Sequence, residues 1–382
     1  MAGTGAALFG VYVHVPFCAA RCDYCAFATY TDRDHLMGRY VDACCTELRR
    51  AADDGALPPT TSVFFGGGTP SRLPAEELCR ILAEVPLVPG AEVTVECNPE
   101  DADEARFATY RQAGVNRLSF GIQSTRRHVV DSLGRRPSPG AAERCTSLAA
   151  AAGMASYNVD LIFGAAAESD ADWEAVLAEV LTLPAPPPHV SAYALTVEPG
   201  TPLAAAPDRH PDDDVQARRY ERADALLGAA GLRSYEISNW ARPGHECAHH
   251  LLYWRQGDYL GVGAAAHSHR AGRRSWHVRT PERYVAAVEA GRSPVAGEEV
   301  LSTEARRFEA LVLALRTADG VPVAALPDSP DLDGLVTRAG GRAVLTVRGR
   351  LLANALSARL VADAPAPRAV GRSTGQPIAS RA

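Results

Sequence analysis

Short apolar runs rich in Val, Ile, Phe and Tyr recur through the first half of the chain and predict a series of β-strands. Six of these runs have the length of typical strands, at residues 9–15, 62–67, 92–97, 117–122, 157–164 and 190–197. Helix-like patterns fill the stretches between them, at residues 34–54, 74–85, 102–113, 139–152 and 170–182. Six β/α units in succession predict an α/β fold with a parallel sheet.

Unusual sequences lie where these predicted strands end. A loop with three cysteines follows the first strand, and the glycine-rich segment GGGTP follows the second. The segments ECNP, GIQS and DLIFG close the next three strands. Functional groups in parallel β/α folds gather at the carboxyl ends of the strands, so these segments predict one common site at that edge of the sheet.

The pattern changes along the chain and suggests four parts. The predicted parts are a core at 1–200, an extension on the substrate side at 201–299, a small C-terminal module at 300–362 and a tail at 363–382. The extension holds a stretch rich in histidine and aromatic residues, and the module opens with an amphipathic helix. The tail has few large apolar residues to bury, so we expect it to be disordered.

Composition limits the possible classes of protein. Hydrophobic residues make up 47% of the 382-residue chain and charged residues 22%, which is typical of a soluble globular protein. The net charge of −6 offers no basic field for nucleic acid. The amino-terminal segment lacks the features of a signal peptide, and no apolar run is long enough to predict a membrane span. The nine cysteines are odd in number and clustered, which favours a reducing cytoplasm and metal binding over disulfides.

The loop VPFCAARCDYC carries the clearest chemical signal. Cys18, Cys22 and Cys25 provide three thiolates within eight residues. Three thiolates can hold three corners of a four-iron, four-sulfur cluster and leave the fourth iron free for a small molecule. The cysteines alone leave two alternatives open, namely a zinc site completed by a distant His or Cys, and thiols without a ligand.

This spacing, with Tyr24 before the last cysteine, resembles the hallmark of the radical S-adenosylmethionine (SAM) superfamily. The resemblance implies that SAM chelates the open iron of a [4Fe–4S] cluster. An electron from the cluster then cleaves SAM to methionine and a 5′-deoxyadenosyl radical. The segment GGGTP is similar to the superfamily's motif for the SAM amino group. The resemblance also implies a partial (β/α)6 barrel, in agreement with the six β/α units.

A wider set of motifs narrows the resemblance to the HemN/HemW group of that superfamily. These motifs are YVHVPFC, FGGGTPS, SFGIQS, LGR, DLIFG, SAYALTVEPGT and YEISNWARPG, and they cover about residues 9–362 together with a HemN-type helical, winged-helix-like C-terminal module. By position, the residues that resemble contacts to the cluster-bound SAM are Tyr12, Gly67 and Glu96. Those that resemble contacts to a second SAM molecule are Tyr24, Gly68, Thr69, Gln123, Arg135, Asp160 and Ala194. No catalytic side chain is identified.

Departures from the group's patterns bear on function. Phe27 stands where the coproporphyrinogen dehydrogenases have a further cysteine, which argues against that activity. The heme chaperones carry an HNxxYW motif linked to heme binding. Here the segment is HHLLYW, in which His249 is kept and His250 replaces Asn. The segment LGRRP has Pro137 where these chaperones usually have histidine.

Two functions therefore compete. We favour a tailoring enzyme of natural-product biosynthesis that uses two SAM molecules to methylate or cyclopropanate a small molecule, as the related class C methylases and cyclopropanases do. The alternative is a heme chaperone that binds heme and delivers it to target proteins. Both functions imply a cytoplasmic protein with an electron donor such as flavodoxin or ferredoxin. The tailoring function also implies a partner methyltransferase. A non-catalytic zinc module is a third, weaker reading.

The remaining histidines and cysteines are assigned by their setting. The histidines at 245, 249, 250, 267 and 269 are either heme or substrate contacts or structural residues, and the structural interpretation is favoured for each one alone. The cysteines expected to be buried as small apolar residues are Cys44, Cys45, Cys79, Cys97 and Cys145. Cys247, in the histidine-rich stretch, remains a candidate ligand.

Overall fold

A single twelve-stranded sheet forms the frame of the molecule, in a computed structural model that describes residues 8–135 and 138–362. Six neighbouring, parallel strands make up its centre: β1 (Phe9–Val15), β2 (Thr60–Gly67), β3 (Leu87–Cys97), β4 (Arg117–Gln123), β5 (Ser156–Phe163) and β6 (His189–Ala194). The predicted tail at 363–382 and Pro137 lie outside the described residues.

Helices alternate with these six strands. They are α1 (Met37–Asp53), α2 (Ala75–Ala83), α3 (Glu104–Ala113), α4 (Arg127–Ser132), α5 (Ala141–Ala151) and α6 (Asp170–Leu181). The helix α4 interrupts the loop after β4 and was not predicted. The alternation confirms the predicted α/β fold, because each crossover helix covers one face of the parallel sheet.

The two faces of the central strands differ in chemistry. On one face Val11, Val13 and Val63 are fully buried beneath the helices. On the other face, the alternate residues include Tyr12 and Glu96, which point into the interior of the partial barrel. The alternation within each strand therefore separates an apolar core from a polar interior.

Further strands extend the sheet at both edges. At one edge, β8 (Asn239–Ala241) and β7 (Arg233–Ser234) follow β6 after the long helix α7 (Asp213–Ala229). The other edge continues from β1 through β9 (Asp258–Val262), β10 (His267–Arg270), β11 (Arg273–His277) and β12 (Val295–Val300). Two helices belong to this side, α8 (Ala248–Trp254) and α9 (Pro281–Glu289). The histidine-rich stretch is thus partly a helix and partly two strands of the main sheet.

The C-terminal residues have a small core of their own. This module contains α10 (Thr303–Leu315), β13 (Val321–Pro322), β14 (Val336–Ala339), β15 (Arg342–Leu345), α11 (Val347–Leu351) and α12 (Ala353–Ala362). Its buried residues include Leu315, Ala343 and Leu356. Arg350 joins it to α7 through Asp224, at 2.7 Å. No helix among the described residues is long and apolar enough to span a bilayer.

Candidate metal centre and active site

The three clustered cysteines lie in the loop that follows β1. Cys18, Cys22 and Cys25 are partly exposed, and their thiols are free. Two backbone hydrogen bonds close the loop, because the N–H of Cys18 donates to the carbonyl of Tyr30 at 3.1 Å and the N–H of Tyr30 donates to that of Pro16 at 2.8 Å. Residues 16–30 therefore form one closed loop, which carries the three cysteines at the carboxyl end of the sheet.

The glycine-rich segment after β2 packs directly against this loop. The N–H of Gly68 donates to the carbonyl of Val15 at 2.8 Å, and the Thr69 hydroxyl lies 3.4 Å from the Cys18 sulfur. A Cβ atom at Gly68 would lie 2.8 Å from the Val15 carbonyl oxygen and 3.1 Å from the Cys18 sulfur. Only glycine permits this approach, which places the two predicted motifs side by side.

The donor set consists of three cysteine thiols, and thiolates are the usual protein ligands of iron–sulfur clusters. Burial raises the pKa of the Cys18 and Cys25 thiols, and cluster binding would therefore release protons.

A histidine to which the sequence pattern gave no role connects these parts. His14 lies between the hydroxyl of Tyr12, at 3.0 Å from Nδ1, and the carbonyl of Ala28, at 3.0 Å from Nε2. Because a carbonyl only accepts, Nε2 carries the proton and Nδ1 accepts from Tyr12. Burial lowers the pKa of His14 to about 4, so the ring is neutral. A Cβ atom at Gly67, where φ is +109°, would lie 2.5 Å from this ring. The sequence signal was its position two residues after Tyr12, on the same face.

Two acidic side chains face each other inside the barrel. The Glu96 carboxylate accepts the N–H of Gly67 at 3.2 Å. Asp160 accepts the hydroxyl of Ser119 at 2.9 Å and the side-chain amide of Asn158 at 2.7 Å. Burial and, next, the charge of Asp160 raise the pKa of Glu96 to about 8. These acids can bind a cationic group, and the ammonium group of SAM has that character.

Replacing Glu96 with Gln should remove a pH dependence from the stability of the cluster-free protein. A folded-state pKa above the ordinary value means that the carboxyl favours folding at low pH and that this contribution is lost as the pH rises through about 8. We expect Glu96→Gln to be more stable than the wild type at pH 9 by about 1–3 kcal/mol and equal to it near pH 5. Urea unfolding at several pH values from 5 to 9 measures the free energy of unfolding of both proteins. The exposed Glu104→Gln is the control, and parallel curves for Glu96→Gln and wild type would contradict the prediction.

The predicted contacts to a second SAM molecule lie on several elements of the barrel, with Gln123 and Ala194 at the carboxyl ends of β4 and β6. Arg135 donates to the Gly121 carbonyl at 2.9 Å and to the Asn98 side-chain oxygen at 3.1 Å. Gln123 is buried and has a φ of +68°, a conformation that residues other than glycine rarely adopt. Ala194 ends β6 and is exposed. The role of these residues toward SAM stays a prediction.

A network of polar side chains on β4, β5 and β6 was not predicted from the sequence. The Asn158 amide donates to Ser119 at 2.7 Å and to Ser191 at 2.9 Å. His189 bonds to the Asn158 oxygen with one ring nitrogen and to the Tyr235 hydroxyl with the other, at 2.8 Å. Ser119 lies on β4, Asn158 on β5, and both His189 and Ser191 on β6, and the register of these three strands brings them together.

The HHLLYW segment lies at the other end of the barrel. It forms α8, whose first N–H groups donate to the Glu92 carboxylate in the middle of β3, at 3.0 Å for Ala248 and 3.1 Å for His249. The ring nitrogens of His249 bond to Ser62 at 2.9 Å and to Tyr253 at 2.8 Å. His249 is fully buried and has no free nitrogen, so its role in this structure is structural.

Two neighbours of His249 have different surroundings. The ring of His250 lies 5.1 Å from that of Phe64, and its Nδ1 is buried with no hydrogen bond in the described part of the chain. Cys247 is buried, and its thiol donates to Glu92 at 3.4 Å. Of the other five cysteines, Cys79, in the middle of α2, is partly exposed rather than buried as predicted.

Comparisons of the sequence and of the fold with known proteins point to one group of relatives. Residues 12–180 match the family model of the radical SAM superfamily. The chain is 44% identical over 367 residues to a heme chaperone HemW of Mycobacterium tuberculosis, covering 91% of this chain and 93% of the relative. It is 37% identical to heme chaperone HemW of Escherichia coli over 67% of this chain and 69% of that protein. The fold is similar to that of the coproporphyrinogen III oxidase HemN of Escherichia coli, with a TM-score of 0.79, 21% identity, and coverage of 92% of this chain and 89% of that one.

Proposed function

Because the chain belongs to the radical SAM superfamily and, within it, to the HemN- and HemW-like proteins, we propose that it binds heme and delivers it to other proteins. The observation that carries this proposal is the 44% identity to a heme chaperone HemW over 91% of the chain. At that coverage the likeness includes the barrel, the sheet extension and the C-terminal module. The target proteins would be proteins that require heme.

The cysteine loop would hold the [4Fe–4S] cluster and leave one iron for SAM. Cys18, Cys22 and Cys25 are the ligands in this proposal, and Tyr12 and Glu96 hold SAM next to them. When bound, the cluster supplies an electron to SAM. His14 positions Tyr12 and the cluster loop at the same time, through its two ring nitrogens. An electron carrier such as a flavodoxin or ferredoxin would reduce the cluster.

Phe27 supports heme handling rather than porphyrinogen oxidation. It occupies the position of the further cysteine of the coproporphyrinogen dehydrogenases, so no thiol stands there, and its side chain is 56% exposed beside the cluster loop. One-carbon transfer, which the sequence analysis favoured, has weaker support, because the relatives named above are called heme chaperones. Heme handling therefore replaces it as the preferred function. Methyl or methylene transfer is kept as an outcome of the experiment below.

Titration of the anaerobically reconstituted protein with ferric heme should give saturable binding near one equivalent, with a shifted Soret band. The same preparation, incubated with SAM labelled in its methyl group, should transfer no label to heme or to small molecules. Absorption spectroscopy and scintillation counting of separated products make these measurements. Absence of saturable heme binding, with label appearing in a small molecule, would contradict heme handling and favour one-carbon transfer.

A further inference from the structure

The part of the cluster loop around Asp23 is anchored to distant parts of the chain. Asp23 lies between Cys22 and Tyr24. Its N–H donates to the carbonyl of Leu133 at 3.1 Å, and its carbonyl accepts the N–H of Leu203 at 2.9 Å. Leu133 follows α4, in the connection after β4, and Leu203 lies in the segment after β6. The loop after β1 therefore reaches across the carboxyl edge of the sheet to two other connections.

Arg209 holds the Asp23 carboxylate in this position. One guanidinium nitrogen, Nη2, donates to Asp23 Oδ2 at 2.7 Å and to the carbonyl of Ser132 at 2.6 Å. A Cβ atom at Gly134, where φ is +74°, would lie 2.5 Å from Asp23 Oδ1, so only glycine leaves room for the carboxylate. The residues that surround Asp23 are named here the Asp23 socket: Ser132, Leu133, Gly134, Leu203 and Arg209.

The segment after β6 is fixed by hydrogen bonds of its own. The N–H of Arg209 donates to the carbonyl of Ala206 at 2.9 Å, and the His210 ring donates from Nε2 to the carbonyl of Leu203 at 3.1 Å. Leu133 and Leu203 are each 2% exposed and belong to one apolar cluster, against which the Tyr24 side chain packs. The socket is therefore built before the cluster loop meets it, and Arg209 extends from a compact turn.

Two of the three candidate cluster ligands depend on this anchor. The N–H of Cys25 donates to the carbonyl of Cys22 at 3.2 Å, so both thiols lie on one tight turn that contains Asp23. The N–H, the carbonyl and the carboxylate of Asp23 are all bonded to the socket, and the turn cannot rotate without breaking these bonds. Cys18 is held on the other side, beside Thr69. The socket therefore helps to fix the turn relative to Cys18.

Arg209 also offsets a negative charge beside the ligands. The Asp23 carboxylate follows Cys22 directly in sequence, and reduction of a cluster adds a further negative charge. Nearby charge is one of the factors that set the reduction potential of an iron–sulfur cluster. The Asp23 and Arg209 side chains are 30% and 34% exposed, so solvent screens this pair only in part. Without the guanidinium, the carboxylate should make the cluster harder to reduce.

We propose that Arg209 is a positioning residue of the cluster site, which fixes the turn from Cys22 to Cys25 and offsets the charge of Asp23 when the cluster is reduced. Arg209 lies 186 residues after Asp23 and outside every motif of the cysteine loop. The inference rests on the proposed cluster ligands and adds to them a residue that touches neither the cluster nor SAM. It does not depend on heme binding.

The first test uses limited trypsin digestion of the full-length, cluster-free protein. Arg21 is exposed and directly precedes Cys22, so trypsin cleavage there reports opening of the turn. We expect cleavage at Arg21 to be roughly two- to tenfold faster in Arg209→Met than in the wild type. The matched control is Arg222→Met, which breaks a partly exposed pair with Glu174 away from the loop and should be cleaved like the wild type. Mass spectrometry identifies the fragments, and far-UV circular dichroism checks that each variant is folded.

The second test measures the reduction potential of the reconstituted cluster by redox titration with electron paramagnetic resonance. The potential of Arg209→Met should be more negative than that of the wild type, because the charge of Asp23 is no longer offset. It should return toward the wild-type value in the double variant Asp23→Asn/Arg209→Met, which has lost both charges. A purely structural role would give the single and the double variant the same potential.

The outcomes separate this inference from the function on which it rests. A wild type that assembles no [4Fe–4S] cluster would overturn the proposed ligands and the role of Arg209 together. A wild type that holds the cluster, with the same cleavage rate and potential in Arg209→Met, would overturn only the role of Arg209. A shifted potential that the double variant does not restore would overturn the charge offset. A wild type that holds the cluster but binds no heme would overturn heme handling alone.

Discussion

Cys22→Ala should abolish assembly of the [4Fe–4S] cluster and, with it, reductive cleavage of SAM. Three thiolates from one loop are the whole protein ligand set in this proposal, so the loss of one leaves two irons without a protein ligand. Iron and sulfide assays after anaerobic reconstitution, with absorption near the usual thiolate-to-iron charge-transfer band, measure the cluster. Chromatography of 5′-deoxyadenosine after reduction in the presence of SAM measures the cleavage.

Cys79→Ala is the matched control for this variant. Cys79 is also a partly exposed free thiol, but it lies on α2, outside the cluster loop. It should retain full cluster content. Equal iron and sulfide in Cys22→Ala and Cys79→Ala would show that Cys22 is not a ligand. A full cluster in the wild type without 5′-deoxyadenosine would leave the cluster assignment intact and favour a binding role over catalysis.

The central fold could be predicted because its signals are local. Each of the six parallel strands carries a run of apolar residues on the face covered by helices, and the cysteine and glycine motifs follow strands directly. The carboxyl ends of parallel strands meet at one edge, so sequence order alone predicted that Cys18 lies next to Gly68. These inferences needed no knowledge of distant contacts.

The sheet extension could not be predicted in the same way. Its strands are short and mix arginine, glutamate and histidine with few apolar residues, as in β11 and β12. Such segments become strands because a neighbouring strand pairs with them, which local propensity does not show. The position of His267 next to Trp276 depends on this pairing.

The motif HHLLYW shows a second limit of sequence reasoning. A histidine in a motif linked to heme invites assignment as a ligand, but His249 is held by Ser62, 187 residues earlier in the chain. The same holds for His14, whose partner Ala28 closes the cluster loop. Whether a polar side chain is free or already bonded depends on residues far away in sequence.

Arg219→Leu should destabilise the protein by about 3–5 kcal/mol at pH 8, because it leaves the carboxylate of Glu168 buried and unpaired. The two side chains are only 6% and 0% exposed, and their charged atoms are 2.8 Å apart. Glu168 also accepts the N–H of Gly164 at 2.8 Å, so the pair fixes the loop that follows β5 at the rim of the site. Urea unfolding with circular dichroism measures the loss.

The effect of Arg219→Leu should depend on pH in a defined direction. Burial raises the pKa of Glu168 to about 7, although the Gly164 N–H and Arg219 lower it in part. Without Arg219 the pKa must rise further. A carboxyl with a raised folded-state pKa favours folding at low pH and loses that contribution as the pH rises through this value. Arg219→Leu should therefore lose less stability at pH 5.5 than at pH 8.

Arg222→Leu, on the same helix, is the control. It breaks an exposed pair with Glu174 and should lower the free energy of unfolding by less than about 1 kcal/mol at both pH values. Equal losses for the two variants, or a loss for Arg219→Leu that does not change with pH, would show that Glu168 does not carry an unpaired charge in the folded protein.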